Sequence, residues 1–156
     1  MRIIVCVLLF AITNFTIGQT NNQFQSLQYD KVIMYDFEGG KGADLYIVDE
    51  KGQLARSITK QVTLHKFTAM KLSAKLVDNK SYGAGTSACF IPHVGFVYYF
   101  KDKIIAHVTI CLACNRLASS INIEAQQQGK QGKGKDVYYT LDGLSNPFRQ
   151  FLNGLL

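Results

Sequence analysis

The chain is 156 residues long, 47% hydrophobic and 18% charged, with a formal charge of +6 at pH 7. That length suits one domain of about 100–150 residues. Its apolar content, much of it Phe and Tyr, is enough for one core and excludes a disordered chain. A basic balance admits nucleic acid, anionic lipid or acidic glycan as partner classes, but the lysines are scattered singly, so no specific nucleic-acid site is read from them.

Taken in chain order, Met1-Arg2 precedes Ile3 to Ile12, a run almost free of polar side chains. A positive end followed by a short apolar run is the pattern of a bacterial secretory signal. It is too short for the roughly 20 residues of a transmembrane helix. Thr13 and Asn14 end the run, and Thr16 and Gly18 supply small residues that place the cut before Gln19. The expectation is a signal peptide over 1–18 and a single α+β domain over 19–156, exported to the periplasm or the medium. Arg2 would leave with the signal, taking the charge from +6 to +5. Cys6 lies inside the apolar run and not at the cut, and no later segment is apolar enough to span a bilayer. No membrane anchor is therefore expected after cleavage.

Gln19 to Gln28 is polar and is expected to fray. Lys31 to Phe37 and Asp44 to Val48 are rich in β-branched and aromatic residues around a glycine cluster, which reads as a β-hairpin. The glycines lack the Gly-Lys-Ser/Thr ending of a phosphate loop. Gln53 to Ile58 is a weaker strand candidate. From Lys66 to Val77 the period becomes helical: Phe67, Met70, Ala74 and Val77 form one apolar stripe, and Leu72 and Leu76 mark a second face. Val94 to Phe100 and Ile104 to Cys111 flank Lys101-Asp102-Lys103 and make the clearest hairpin of the chain. Ile121 to Ile123 and Val137 to Thr140 are further short strands. Between them, Gly, Gln and Lys over about 126–136 read as a flexible basic loop. Ser145 as N-cap and Pro147 in the first turn open a C-terminal helix striped by Phe148, Phe151, Leu152 and Leu155. The fold class expected is α+β: an antiparallel sheet of hairpins, one internal helix and a C-terminal helix.

The chemistry-bearing residues are cysteines. After cleavage Cys89, Cys111 and Cys114 remain, an odd number for an exported chain. With Asp102-Lys103 as a two-residue turn, Val94 faces Cys111, His93 faces Leu112 and His107 faces Tyr98. Cys89 lies four residues before His93, within a reach of about 13 Å. Cys89, His93, Cys111 and Cys114 could then gather at the open end of one hairpin. Three readings follow. The first is a zinc site of three thiolates and one imidazole. The second, preferred here, is a disulfide from Cys89 to Cys111 or Cys114 with the remaining thiol free. The third is redox work by Cys111 and Cys114, although the parallel βαβ frame of a thioredoxin-type Cys-x-x-Cys site is missing.

The stretch from Lys80 to Ser120 carries Ser81-Tyr82-Gly83, Cys89-Phe90-Ile91-Pro92-His93, Gly95, Tyr99, Cys111-Leu112-Ala113-Cys114-Asn115 and Ser119-Ser120. It resembles a family of uncharacterised exported proteins, chiefly of Bacteroidetes-type bacteria. The resemblance covers about a quarter of the chain. It implies an exported domain in which the three cysteines matter, and it implies no reaction. The functional expectation is an exported non-catalytic domain whose cysteine cluster holds one hairpin end. The alternative is a thiol-disulfide oxidoreductase or a metal-dependent enzyme using Cys89, Cys111 and Cys114.

Overall fold

The computed structural model describes residues 23–40, 44–126, 128–131 and 138–156. The expected signal peptide and its cleavage point lie outside the described residues. The elements are α1 (Gln23–Ser26), β1 (Lys31–Phe37), β2 (Ile58–Thr63), α2 (Lys66–Val77), β3 (Tyr82–Ala84), β4 (Val94–Phe100), β5 (Lys103–Cys111), β6 (Arg116–Ser119), β7 (Gln128–Gln131), β8 (Tyr138–Leu141), β9 (Gly143–Leu144) and α3 (Asn146–Asn153), with a 3-10 turn at Asn79–Ser81. A five-stranded sheet in the order β2-β1-β4-β5-β6 forms the centre, and every neighbouring pair in it is antiparallel. The fold is α+β, with one internal helix and one C-terminal helix.

Alternation along the strands gives the sheet two apolar faces. Val32 and Met34 of β1, Phe96 and Tyr98 of β4, and Val108 and Ile110 of β5 point to one face. They pack there against Leu72 and Leu76 of α2 and against Phe148 and Leu152 of α3. Tyr98 keeps its hydroxyl satisfied inside this core by pairing with Ser73 Oγ at 3.1 Å. The other face collects Tyr35, Phe37, Val97 and Tyr99, and it is covered by Ile47, Val48 and Ala55. The cover is not a hairpin strand, as the sequence reading had it. Residues 44–57 make only the isolated bridge Val48–Leu54. Their apolar residues are those of a lid on the sheet. The partner that β1 takes instead is β2, an edge strand whose residues after Ile58 are all exposed.

Helix α2 opens on His65, whose Nδ1 accepts from the Phe67 N–H at 3.3 Å. Helix α3 opens after Ser145 with proline in its first turn. The stretch expected as a flexible basic loop is only partly described. Where it is, Gln128–Gln131 pairs antiparallel with Tyr138–Leu141.

The β4–β5 hairpin turns one position earlier than expected. Its tip is Lys101-Asp102, with φ of 49° and 61°. Two consecutive left-handed residues give the turn whose twist matches that of paired strands. The start of β1 holds this tip: Asp30 accepts the Lys101 N–H at 2.7 Å, and Lys31 pairs with Asp102 at 2.7 Å. Phe100 therefore faces Lys103, an irregularity follows between Tyr98 and Tyr99, and Val94 ends opposite Ile110. The expected Val94–Cys111 and Tyr98–His107 pairs are thereby corrected to Val94–Ile110 and Val97–His107.

Candidate functional site

Strand β5 ends at Cys111, and β6 begins at Arg116, which pairs with it. Leu112-Ala113-Cys114-Asn115 is the turn between them. Asn115 closes it in the left-handed region at φ 53°, a conformation that asparagine tolerates better than most residues. The Cys-x-x-Cys sequence is thus the tip of the β5–β6 hairpin, beside the open end of β4–β5. The segment that leads into β4 crosses this tip. Asn115 Nδ2 donates to Gly85 O at 2.8 Å, the Ser87 N–H to Cys114 O at 2.9 Å, and Arg116 Nη1 to Ala88 O at 3.1 Å. These bonds deliver Cys89 to the cysteine pair.

Cys111 and Cys114 form a disulfide, with α-carbons 5.2 Å apart. This replaces the preferred expectation of a bond from Cys89 to one of them. The hairpin turn places the two sulfurs of Cys-x-x-Cys against each other without help from a distant segment. Cys89 is a free, exposed thiol. Its sulfur lies 3.3 Å from Cys114 Sγ. Cys111 and Cys114 are themselves buried, at 0% and 2% exposure. Two backbone N–H groups point at the bonded sulfurs: Ile91 to Cys114 Sγ at 3.4 Å, and Cys114 to Cys111 Sγ at 3.1 Å. Arg116 lies 5.5 Å from the Phe90 ring centre, and that ring tilts against Tyr46 at 6.0 Å.

His93 does not join the cysteines. It is exposed and lines a separate hollow with Asp36, Lys60, Leu112 and Ala113. Among the described residues no three His, Cys, Asp or Glu side chains gather as a metal-binding group. The four-ligand zinc set is therefore not assembled, and the physical reason is that two of its thiolates are spent on each other. The sequence reading missed Arg116 and the Ile91 N–H as parts of the site. Arg116 directly follows the Cys-x-x-Cys-Asn run, and a strand-initial arginine carries no signal of which backbone carbonyls it will reach.

Comparison with family models, with curated proteins and with solved structures finds no match.

Proposed function

We propose that the chain is an exported domain whose cysteine cluster is a thiol–disulfide exchange site, with Cys89 as the thiol through which partners reach a buried disulfide. The observation that carries this reading is the exposed Cys89 sulfur 3.3 Å from Cys114 Sγ, while both bonded sulfurs are withdrawn from solvent.

The chemistry starts when Cys89 gives up its proton to water. The Cys89 thiolate then attacks Cys114 Sγ. A Cys89–Cys114 bond forms as the Cys111–Cys114 bond breaks, and Cys111 leaves with the electron pair and takes up a proton. Nothing is oxidised or reduced overall. The Cys114 N–H, already 3.1 Å from Cys111 Sγ, stabilises charge on the departing sulfur. The new disulfide contains the exposed Cys89, so an external thiolate can attack it there. That attack gives a mixed disulfide between the partner and Cys89 and frees Cys114. A second thiol on the partner then attacks the partner's own bonded sulfur and releases Cys89. The partner leaves oxidised by two electrons, and the domain is left reduced.

Loop entropy agrees that the resting disulfide is a poor staple. A bond between residues 3 apart in sequence stabilises by about 2 kcal/mol, and one spanning the separation of 25 between Cys89 and Cys114 by about 3.5 kcal/mol. A purely structural pair would favour the longer loop. The structural reading keeps one observation of its own, the Ser87, Ile91 and Arg116 bonds that fasten residues 85–92 to the hairpin tip.

The test is the rate at which a small thiol reduces the Cys111–Cys114 bond. Cys89→Ser should slow that reduction roughly tenfold or more, because access then falls to two buried sulfurs. Cys111→Ser should trap the Cys89–Cys114 disulfide, visible by peptide mass without reductant. An unchanged reduction rate in Cys89→Ser, accompanied by a loss of stability, would return the cluster to the role of a clamp.

A further inference from the structure

Helix α2 carries two faces and uses one. Ala69, Leu72, Ser73 and Leu76 are buried, and the three apolar ones belong to the main core. On the opposite side, Phe67 and Met70 are 60% and 53% exposed. At 100° per residue, Lys66, Met70, Ala74, Phe67 and Lys71 follow one another around a continuous arc. All five are exposed. A lysine stands at each margin of the arc, and the helix contains no acidic residue. The Lys71 ammonium lies 4.7 Å from the Phe67 ring centre, so cation and ring already sit side by side. Lys75 turns away from the arc toward Phe151 of α3, 5.6 Å from that ring centre. Two acids beside the helix are engaged elsewhere: Asp78, its C-cap, accepts from the Lys80 N–H at 2.9 Å, and Asp30, which shares a hollow with Lys66 and Met70, accepts from the Lys101 N–H at 2.7 Å.

We propose that this outer face of α2 docks peripherally on an anionic lipid surface. The core contacts of the inner face fix the helix along the outside of the domain, which lets its outer arc lie flat on a membrane. Phe67 and Met70 then enter the headgroup region, and Lys66 and Lys71 meet lipid phosphates. Apolar side chains bracketed by lysines are the chemistry by which a surface helix binds anionic lipid. The net positive charge, +6 for the full chain and +5 once Arg2 leaves with the expected signal, adds long-range attraction of the same sign. A protein partner for this face would need acids around an apolar patch, and it would show as no binding to either kind of vesicle.

The experiment sediments the exported protein with vesicles of phosphatidylcholine alone and of phosphatidylcholine mixed with phosphatidylglycerol. Binding is expected to the mixed vesicles only, weakening as salt is added. Two pairs of substitutions, F67S/M70S and K66E/K71E, should each reduce that binding roughly tenfold or more. Both pairs alter exposed side chains, so melting temperatures should stay within a few degrees; if one pair melts early, the other decides. Equal binding to neutral vesicles, binding indifferent to the substitutions, or no vesicle binding at all would overturn the proposal.

Discussion

Gly95 shows how one absent side chain shapes the back of the sheet. It sits in β4 opposite Tyr35 and Thr109. A Cβ built there would run into the side chain of Ile47, which is itself fully buried. The lid can reach the sheet only because this position is bare. Ile47 is fixed on its other side by its N–H, which donates to Thr109 Oγ1 at 3.1 Å, so it has little room to retreat. Gly95→Ala should therefore destabilise the fold by about 1–3 kcal/mol, the usual cost of overpacking. Urea unfolding checks this, and an unchanged midpoint would mean that the lid yields. A glycine inside a strand carries no side chain to pack and so announces no contact of its own. Which residue comes down on it is set by contacts distant in the chain, so no local pattern reveals it.

At the scale of elements, the long periodic segments were legible and the short ones only in part: the strand expected over Val137 to Thr140 overlaps β8, whereas Ile121 to Ile123 forms no strand. Helix α2 stands at Lys66–Val77 as its periodicity implies, and the expected β4–β5 hairpin forms. Strand β2 escaped because Thr59 to Thr63 lies along an exposed edge and needs no apolar alternation. Strand β6 escaped because its four residues are too few to show a period. The cysteine site was legible as a cluster of three and illegible in its bonding, since the bond forms within the β5–β6 turn, whose second strand the sequence does not announce, while the β4–β5 register differs from the expected one by a residue. That difference begins at Lys101-Asp102, where two non-glycine residues hold positive φ. Lys101 is exposed. Replacing it should therefore report backbone preference more than lost packing. Lys101→Val puts a β-branched residue in the left-handed region and should cost about 1–2 kcal/mol. Lys101→Gly should be neutral or stabilising by a few tenths of a kcal/mol. The order of the urea midpoints, glycine at or above wild type and valine below it, checks the turn, and the reverse order would exclude it.

The molecule as a whole is a sheet sealed by helices on one side and by an irregular lid on the other, and the lid side carries its sensitivity to acid. His107 faces Val97 on β5 at the margin of this lid. Its Nδ1 is shut off from solvent with no hydrogen-bond partner among the described residues. Burial holds its pKa below the ordinary value of 6.5. Asp49 and Glu50 line the same hollows, without displacing burial as the dominant influence. The unfolded chain takes a proton on this histidine near pH 6.5, and the folded chain resists it. Stability is therefore complete above that pH and declines as pH falls below it, until the folded histidine also protonates. The carboxylates act lower on the scale. Asp44 is held below the usual carboxylate value of 3.8, chiefly by the Ser57 N–H at 2.8 Å, and Asp102 chiefly by its hydrogen bond from Lys31. Their contribution is present above that value and is lost as pH falls through their depressed pKa values. Acid unfolding should accordingly come in two stages, and only the upper one belongs to His107. Urea midpoints at about pH 7.5 and about pH 5.5 separate the stages. The wild-type midpoint should fall between them, while in His107→Gln it should hold steady over that interval and still drop below about pH 4. An equal fall in the variant would leave the half-buried imidazole of His107 without a role in stability.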